Sequence, residues 1–584
     1  MNVIGINAFH ADSSACLFVD GRMIAAVEEE RFRRVKHWAG FPSHSIKYCL
    51  QAGNINLNQV DVIAINTDHS AARWKKLGYS LTGNAPISLI KEKLKVRKKR
   101  QGLLEHLQLA FPDQTFKGKL EYVEHHLAHL ASAYSVSPYQ RASIISVDGF
   151  GDFASTATGF GQDGVIDLQR RVYFPHSLGI FYQALTQFLG FPHYGDEYKV
   201  MGLAPYGEPK YAKQMDEIIG LTQSGEFRLN LDYFLHHKQA IGYEWENGSP
   251  KVSCLHSSKL IDLLGPKRDP REPLTQYHHD IAGSVQDAYE RTFSHLLNVM
   301  YDQHECENLT IAGGCGMNSV ANGKVHLTTP YKNIYVQSAA GDAGGAIGAA
   351  VVAGQRHAQP CEFRMSHAYW GPKFSDQEIK SVLHQNQPQL DSANCTVGHL
   401  TDLTELTDRV SDYIIQGMVV GWFQDAMEWG PRALGNRSIL GDPRRKDMKD
   451  ILNLKIKRRE SFRPFAPSVL KDQVKEWFES DADVPFMMKV FQILEKQREK
   501  IPAVTHVDGS GRLQTVTEEG NAKYYHLINA FFKKTGVPML LNTSFNENEP
   551  VVCTPGEALA CFLRTNMDVL VLGSNIITRQ EAQS

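Results

Sequence analysis

The chain has 584 residues, 42% hydrophobic and 22% charged, with a formal net charge of -2. Single cores rarely grow past about 300 residues, so two large domains are expected. The composition is ordinary for a globular protein; it excludes a disordered chain and gives no electrostatic footprint for nucleic acid, which is not expected as a partner.

Nine cysteines, odd in number and without a Cys-x-x-Cys pair, argue against a disulfide framework or structural zinc cluster and for a reducing compartment. A strand begins within three residues of Met1 and Asp12 follows early, unlike a signal peptide. The longest apolar stretch, residues 343–354, falls short of the roughly 20 residues of a spanning helix. A cytoplasmic protein with no membrane segment is expected.

In chain order, residues 3–7, 15–19 and 23–27 read as strand, loop, strand, tight turn, strand, because Asp20-Gly21 between apolar runs is a hairpin signal. The loop carries His10 and Asp12. Residues 28–34 open a charged element and residues 43–52 a helix, and residues 91–100 form a dense basic run, either a solvated face or a contact for an anionic partner. On the next helix His125 and His129 stand four residues apart and project from one face, with Leu127, Leu130 and Ala133 to anchor it. Residues 144–147 then form a buried strand ending at Asp148, and Gly149 and Gly151 leave room for a ligand. Two imidazoles and a carboxylate make an open site for a divalent transition metal. A zinc-protease reading fails, since it needs Glu directly after the first histidine and His126 stands there.

The hairpin pattern repeats in residues 144–147, 154–159 and 165–168, with Asp163-Gly164 as the turn, which marks an internal duplication. It resembles the duplicated core of the actin, sugar-kinase and heat-shock ATPase superfamily, whose two loops face a phosphate-binding cleft. Glu197 and Lys199 precede a Met-Gly-Leu-Ala-Pro turn, and residues 281–300 read as an amphipathic helix. A strand at 309–312 runs into Gly313, Gly314 and Asn318, where the backbone can approach a ligand and a helix N-terminus favours phosphate. Asp342, on a glycine-rich loop before a small-residue helix, is a candidate fourth metal ligand or a helix cap.

Pro360, Gly371 and Pro372 interrupt the pattern, and a second domain follows. Its Arg432, Arg437, Lys457 and Arg463 crowd Gly and Pro turns and suggest an anion pocket, with pairing to Glu428, Glu460 or Asp442 as the alternative. Arg512 follows a Gly-Ser-Gly turn, and Asn542, Thr543 and Ser544 end a buried strand with polar groups that could bind a ligand.

His125-x-x-x-His129, SVDGFGD, EYKVMGLAPYG, AGGCGMNSVANGK, GDAGGAIGAA, MEWGPRALGNRSIL, RRESFRPFAP and LNTSFNENEP together resemble the O-carbamoyltransferases of antibiotic and nodulation-factor biosynthesis. The resemblance implies an α/β protein of two domains. The first, residues 1–358, would be a duplicated actin-like ATPase domain similar to tRNA threonylcarbamoyl transferases; the second, residues 359–584, a YrdC-like domain with a twisted mixed sheet. The second would combine ATP, with its Mg2+, and carbamoyl phosphate into carbamoyl-adenylate and pyrophosphate. The first would pass the carbamoyl group to a hydroxyl on a small molecule, sugar or glycan and release AMP.

On matching positions, His125, His129, Asp148 and Asp342 would hold a divalent metal, iron in the relatives. Arg432, Lys457, Arg463, Arg512, Asn542 and Ser544 would bind carbamoyl phosphate and ATP. Lys199, Gly313, Gly314 and Asn318 would bind the adenylate. His10 and Asp12 would lie beside the metal, with His10 as base or, alternatively, a loop histidine bonded to Asp12. The chain departs from the expected pattern at residues 424–427, where Asp425 adds negative charge near the anion site. A homo-oligomer is compatible with the sequence. A tRNA-modifying enzyme and an ATP-hydrolysing kinase or chaperone relative are the rival readings.

Overall fold

The computed structural model of the chain describes residues 1–81, 102–244, 249–457, 460 and 462–579. The basic run at 91–100 lies outside the described residues. The chain divides into two compact units, Met1–Met365 and Ser366–Ser584.

In the first unit β1 (Asn2–Asn7), β2 (Ser14–Val19), β3 (Arg22–Glu28), β4 (Val62–Ile65) and β5 (Lys119–Tyr122) form a sheet in the order β3-β2-β1-β4-β5. A second sheet contains β6 (Arg141–Gly151), β7 (Ala154–Gln162) and β8 (Val165–Tyr173), with β13 (Asn308–Ala312) and β14 (Asn333–Val336), in the order β14-β13-β6-β7-β8. Two short hairpins intervene, β9 (Ile219–Leu221) with β10 (Phe227–Leu229) and β11 (Tyr243–Glu244) with β12 (Lys251–Val252). In each five-stranded sheet the first three strands are antiparallel neighbours, and the next two add in parallel to the first. The expected duplication is therefore present strand for strand, and the β1–β2 loop corresponds to the β6–β7 turn.

The helix Gly345–Arg356 explains why its sequence is nearly all Gly, Ala and Val. Residues 345–354 are buried, and backbone approaches it on two sides. A Cβ on Gly348 would stand 1.7 Å from the Ala128 carbonyl oxygen, and one on Gly5 would stand 1.9 Å from that of Ala346. The helix is thus pressed between β1 and the helix His125–Tyr134, which fixes the loop carrying Asp342 against the two histidines.

In the second unit β15 (Cys395–His399), β16 (Val420–Phe423), β17 (Arg437–Gly441), β18 (Ala466–Leu470), β19 (Lys489–Gln492), β20 (Ser510–Val516), β21 (Met539–Ser544), β22 (Val569–Leu572) and β23 (Asn575–Arg579) make one sheet. Its order is β15-β23-β22-β16-β17-β21-β18-β20-β19. Parallel pairs β16–β22 and β18–β20 sit among antiparallel ones, so the sheet is mixed, as the resemblance implies. Trp422, Tyr524, Phe531 and Phe545 are fully buried in its core. All nine cysteines are unpaired. Among the described residues, no helix is long and apolar enough to cross a membrane.

Candidate functional site

The helix His125–Tyr134 is capped by Glu124, whose carboxylate accepts from the Leu127 amide at 2.9 Å. Its first amide, that of His125, donates to Asp152 Oδ2 at 2.9 Å. Asp152 also accepts from Thr67 Oγ1 at 2.8 Å and the Asp68 amide at 2.6 Å, so one carboxylate ties the β6–β7 turn, the helix start and the segment after β4 together. A bulge in β6 after Val147 turns Asp148 out of the ladder toward the helix. The Gly314 amide, 3.0 Å from Asp148 Oδ1, holds one oxygen and leaves Oδ2 facing the imidazoles.

His125, His129, Asp148 and Asp342 converge with one donor atom each, all within 4.8 Å of one another and all buried. His125 Nε2 lies 3.0 Å from Asp148 Oδ2 and 3.0 Å from His129 Nε2. Asp342 Oδ1 is 3.4 Å from His129 Nε2 and 3.6 Å from His125 Nε2. Donors bound at about 2.1 Å to one ion stand about 3.0–3.5 Å from each other, so the donor spacing fits a shared ion. Asp342 Oδ1 is buried and accepts no hydrogen bond among the described residues, which a metal would remedy. Burial alone would depress His129, but the Asp148 and Asp342 carboxylates, each 3.4 Å from its Nε2, raise it to about 9. Burial likewise opposes charge on Asp148, yet the two imidazoles hold it well below the usual carboxylate range. Strong mutual stabilisation of this kind marks a site that attracts cations.

The other oxygen of Asp342, Oδ2, lies 2.5 Å from His10 Nδ1, and the His10 and His125 rings are 5.6 Å apart. His10 therefore does stand beside the cluster, but its partner is not Asp12. Asp12 Oδ1 accepts instead from His37 Nδ1 at 2.7 Å, a pairing that sequence spacing does not reveal because two separate loops create it. His37, Asp12 and Glu30 bring their donor atoms within 4.8 Å of one another as well.

Of the two glycines after Asp148 expected to leave room for a ligand, one does and one does not. Gly149 is open, since a Cβ there would meet nothing within 4 Å, whereas a Cβ on Gly151 would stand 2.0 Å from the His125 ring. Gly151 makes room for the His125 ring. Gly313 adopts φ +89°, and a Cβ there would meet the Val147 carbonyl oxygen at 2.2 Å. Asn318 caps the helix Ser319–Thr328 through the Ala321 amide at 3.0 Å and bonds Gln286, so its side chain serves the fold. Lys199 Nζ pairs with Asp196 at 2.9 Å.

In the second unit the basic residues divide by role. Arg437 is fully buried, donates to the carbonyls of Asn436, Pro372, Asp425 and Gln424, and lies 3.7 Å over the Phe423 ring. It braces the 424–436 loop and is not an anion ligand. Lys457, 2% exposed, comes from a π-helical turn at Asn453–Lys457 and donates to the Ser544 carbonyl at 2.7 Å, the Asn546 carbonyl at 2.7 Å and Asn546 Oδ1 at 2.6 Å. Lys457 and Ser544 thus meet, with Asn546 as a third member that the sequence does not single out. Asn542 Nδ2 donates to the Ala433 carbonyl and Ser468 Oγ, each at 3.0 Å, and Gln514 bonds the Leu434 carbonyl at 2.8 Å. This buried network anchors the loop that carries Arg432.

Arg463 lies 3.6 Å from Glu460, one of the alternative partners. Glu428 accepts the amides of Leu434, Asn436 and Arg437, and Asp442 takes Arg444. Arg512, on β20, bears on His506, whose imidazole is held down to about 4 by burial. Asp425 is offset by Lys523 at 2.8 Å.

A carbamoyltransferase N-terminus family model matches residues 2–351 and a carbamoyltransferase C-terminus model matches residues 411–579. The nodulation protein NolNO of Sinorhizobium fredii is 38% identical over 587 residues, 99% of this chain and 80% of that one. An uncharacterized Synechocystis sp. protein is 40% identical over 622 residues, covering 100% of this chain and 97% of the relative. Among solved structures, HypF of T. kodakarensis aligns with TM-score 0.33 and 12% identity over 61% of this chain and 48% of its own. The chain belongs to the carbamoyltransferase family of enzymes.

Proposed function

We propose that the chain is an ATP-dependent O-carbamoyltransferase that works in two steps. In the second unit, carbamoyl phosphate and ATP condense to carbamoyl-adenylate and pyrophosphate. In the first unit, the carbamoyl group passes to a hydroxyl and AMP departs. The carrying observation is Asp342, which turns one oxygen to the His125–His129 pair and the other to His10.

That arrangement supports His10 as the base. With Nδ1–H given to Asp342, the lone pair resides on Nε2, the atom that would take the acceptor proton. The hydroxyl oxygen then bonds the carbamoyl carbon, and the bond from that carbon to the phosphate oxygen breaks, its electron pair leaving with AMP. A positioned base of this kind contributes about 10²–10⁴-fold. His125, His129, Asp148 and Asp342 would hold a divalent ion, iron by the family resemblance, whose chemistry there is Lewis-acid polarisation of the carbonyl. Gly314 would let the adenylate approach the backbone, and Lys199 would offer charge to its phosphate.

In the second unit Arg432, Arg463 and Arg512 would offset the crowded charges of ATP and carbamoyl phosphate and stabilise departing pyrophosphate. Lys457 already grips the Ser544–Asn546 strand end, so its part is to orient Ser544 and add charge, while Asn542 sets the loop of Arg432. The acceptor would be a hydroxyl on a small molecule or glycan.

The test is chromatography of nucleotide products after incubation with ATP and carbamoyl phosphate. AMP and pyrophosphate that require carbamoyl phosphate and vanish in Arg463→Ala are expected. ADP and phosphate would overturn the two-step reading.

A further inference from the structure

The first unit holds a second carboxylate-backed imidazole that the mechanism above leaves idle. His37 donates Nδ1–H to Asp12 at 2.7 Å, and its backbone amide donates to Glu30 Oε2 at 2.9 Å. The loop of His37 is stitched to the loop of His10. Ser13 and Phe9 amides donate to the Trp38 and Gly40 carbonyls at 2.9 and 3.0 Å, and Ser13 Oγ bonds Gly40 in both directions at 2.9 and 3.0 Å. Asn7, fully buried, fixes the same loop by donating to the Ala11 and Asp12 carbonyls at 2.8 and 3.0 Å.

This pair of loops holds strain. Phe9, Asp12 and His37, none a glycine, sit at φ 59°, 58° and 53°. Such conformations persist where surrounding structure enforces them, often at sites of chemistry. The His37 side chain is 26% exposed, and residue 195 is a glycine at φ +87°, where a Cβ would crowd Nε2 at 2.6 Å. The His37 ring packs edge-on to Tyr194 at 5.0 Å, and the Tyr194 phenol, pushed up first by burial, also feels the charges of Asp342, Asp12 and Asp148. The geometric link to the histidine–aspartate cluster runs through the stitched loops: Asp12, which holds His37, is two residues from His10, whose Nδ1 lies 2.5 Å from Asp342 Oδ2.

Resting on the two-step reading, we propose that His37 is a second catalytic imidazole, whose Nε2–H hydrogen-bonds the phosphate of the departing AMP while His10 takes the acceptor proton. No proton leaves His37 in the step. The electron pair of the broken carbon–oxygen bond goes to the phosphate, and the imidazolium offsets the charge that develops there. The groups facing His37 suit a cationic ring. Burial works against its charge, but Asp12 and Glu30 raise its pKa, with Lys36 opposing. Arg31 bears on Glu30, and Glu197 lies within range of His37 from the far side.

The experiment uses the metal-loaded full chain with water as the acceptor, following pyrophosphate and AMP separately in the presence of ATP and carbamoyl phosphate. His37→Ala is expected to retain the pyrophosphate burst and metal content while AMP release falls about 10²-fold. His37→Gln, which can place an N–H near the position of Nε2, should recover at least a tenfold part of that loss. AMP release by the wild type should decline as pH rises through the raised pKa of His37, and Asp12→Asn should move that decline to lower pH. AMP release within twofold of wild type in His37→Ala, equal losses in the Ala and Gln variants, or an unmoved pH limb in Asp12→Asn would each overturn the assignment. Absence of pyrophosphate from the wild type would instead sink the two-step reading itself.

Discussion

Asp342 and His10 lie 332 residues apart in sequence, yet the carboxylate oxygen Oδ2 and the ring nitrogen Nδ1 are 2.5 Å apart. The remaining oxygen of Asp342 belongs to the histidine–aspartate quartet. One side chain thus joins the proposed metal site to the proposed base, so Asp342→Asn is expected to lower both. AMP release should fall by about 10²–10⁴-fold, with a parallel loss of bound metal by elemental analysis. An His10→Ala variant should lose the same rate but keep its metal.

Metal binding should also stabilise the first unit. An ion at 100 times its dissociation constant contributes about 2.7 kcal/mol. Chelation is therefore expected to lower the melting temperature of that unit by several degrees, and His129→Ala should be insensitive to chelator. Differential scanning calorimetry with and without added Fe2+ measures this.

The two glycines after Asp148 make a paired test. Gly151→Ala drives a methyl into the His125 ring and should weaken metal affinity about 10–100-fold, the range for disturbed ligand orientation. Gly149→Ala meets nothing within 4 Å and should bind metal as the wild type does. Titration of the two variants with Fe2+ separates the outcomes.

His236 gives the first unit a pH dependence. It is buried beside the Pro175 carbonyl, 2.8 Å from Nε2, and burial holds its pKa down to about 4. Its folded value lies below its unfolded one, so the stability it contributes is complete above about pH 6.5 and is lost as pH falls toward 4. The full span is on the order of 3 kcal/mol. Urea unfolding between pH 7 and 4 should show that slope, reduced in His236→Leu.

Lys457→Met should destabilise the second unit on the order of 3 kcal/mol, because it strands several buried oxygens of Ser544 and Asn546. Arg512→Ala should destabilise less than Lys457→Met and abolish carbamoyl-phosphate-dependent pyrophosphate. Denaturant unfolding beside the pyrophosphate assay distinguishes structural from binding roles.

The parts of this architecture legible from sequence are those encoded locally. The Asp-Gly turns between apolar runs expose both hairpins, and with them the duplication. The four-residue spacing of His125 and His129 puts them on one helix face, and the apolar run 144–147 predicts the strand that reaches Asp148, although β6 continues through a bulge to Gly151. Contacts made by tertiary stitching are not legible. His37 is 25 residues from Asp12, and only the hydrogen bonds between their loops bring them together. Arg437 looks like its cationic neighbours in sequence, but β17 turns it inward onto main-chain carbonyls. Gly151 and Gly149 are chemically identical, and only the position of the His125 ring tells them apart.

The division of labour between the two units is tested most directly by following pyrophosphate and AMP together in wild type and His129→Ala, supplied with ATP, carbamoyl phosphate and Fe2+. His129→Ala is expected to form pyrophosphate in a wild-type burst but to release AMP at least about 10²-fold more slowly. Equal loss of both products, or AMP release that ignores the missing histidine, would contradict transfer at the His125–His129–Asp148–Asp342 centre.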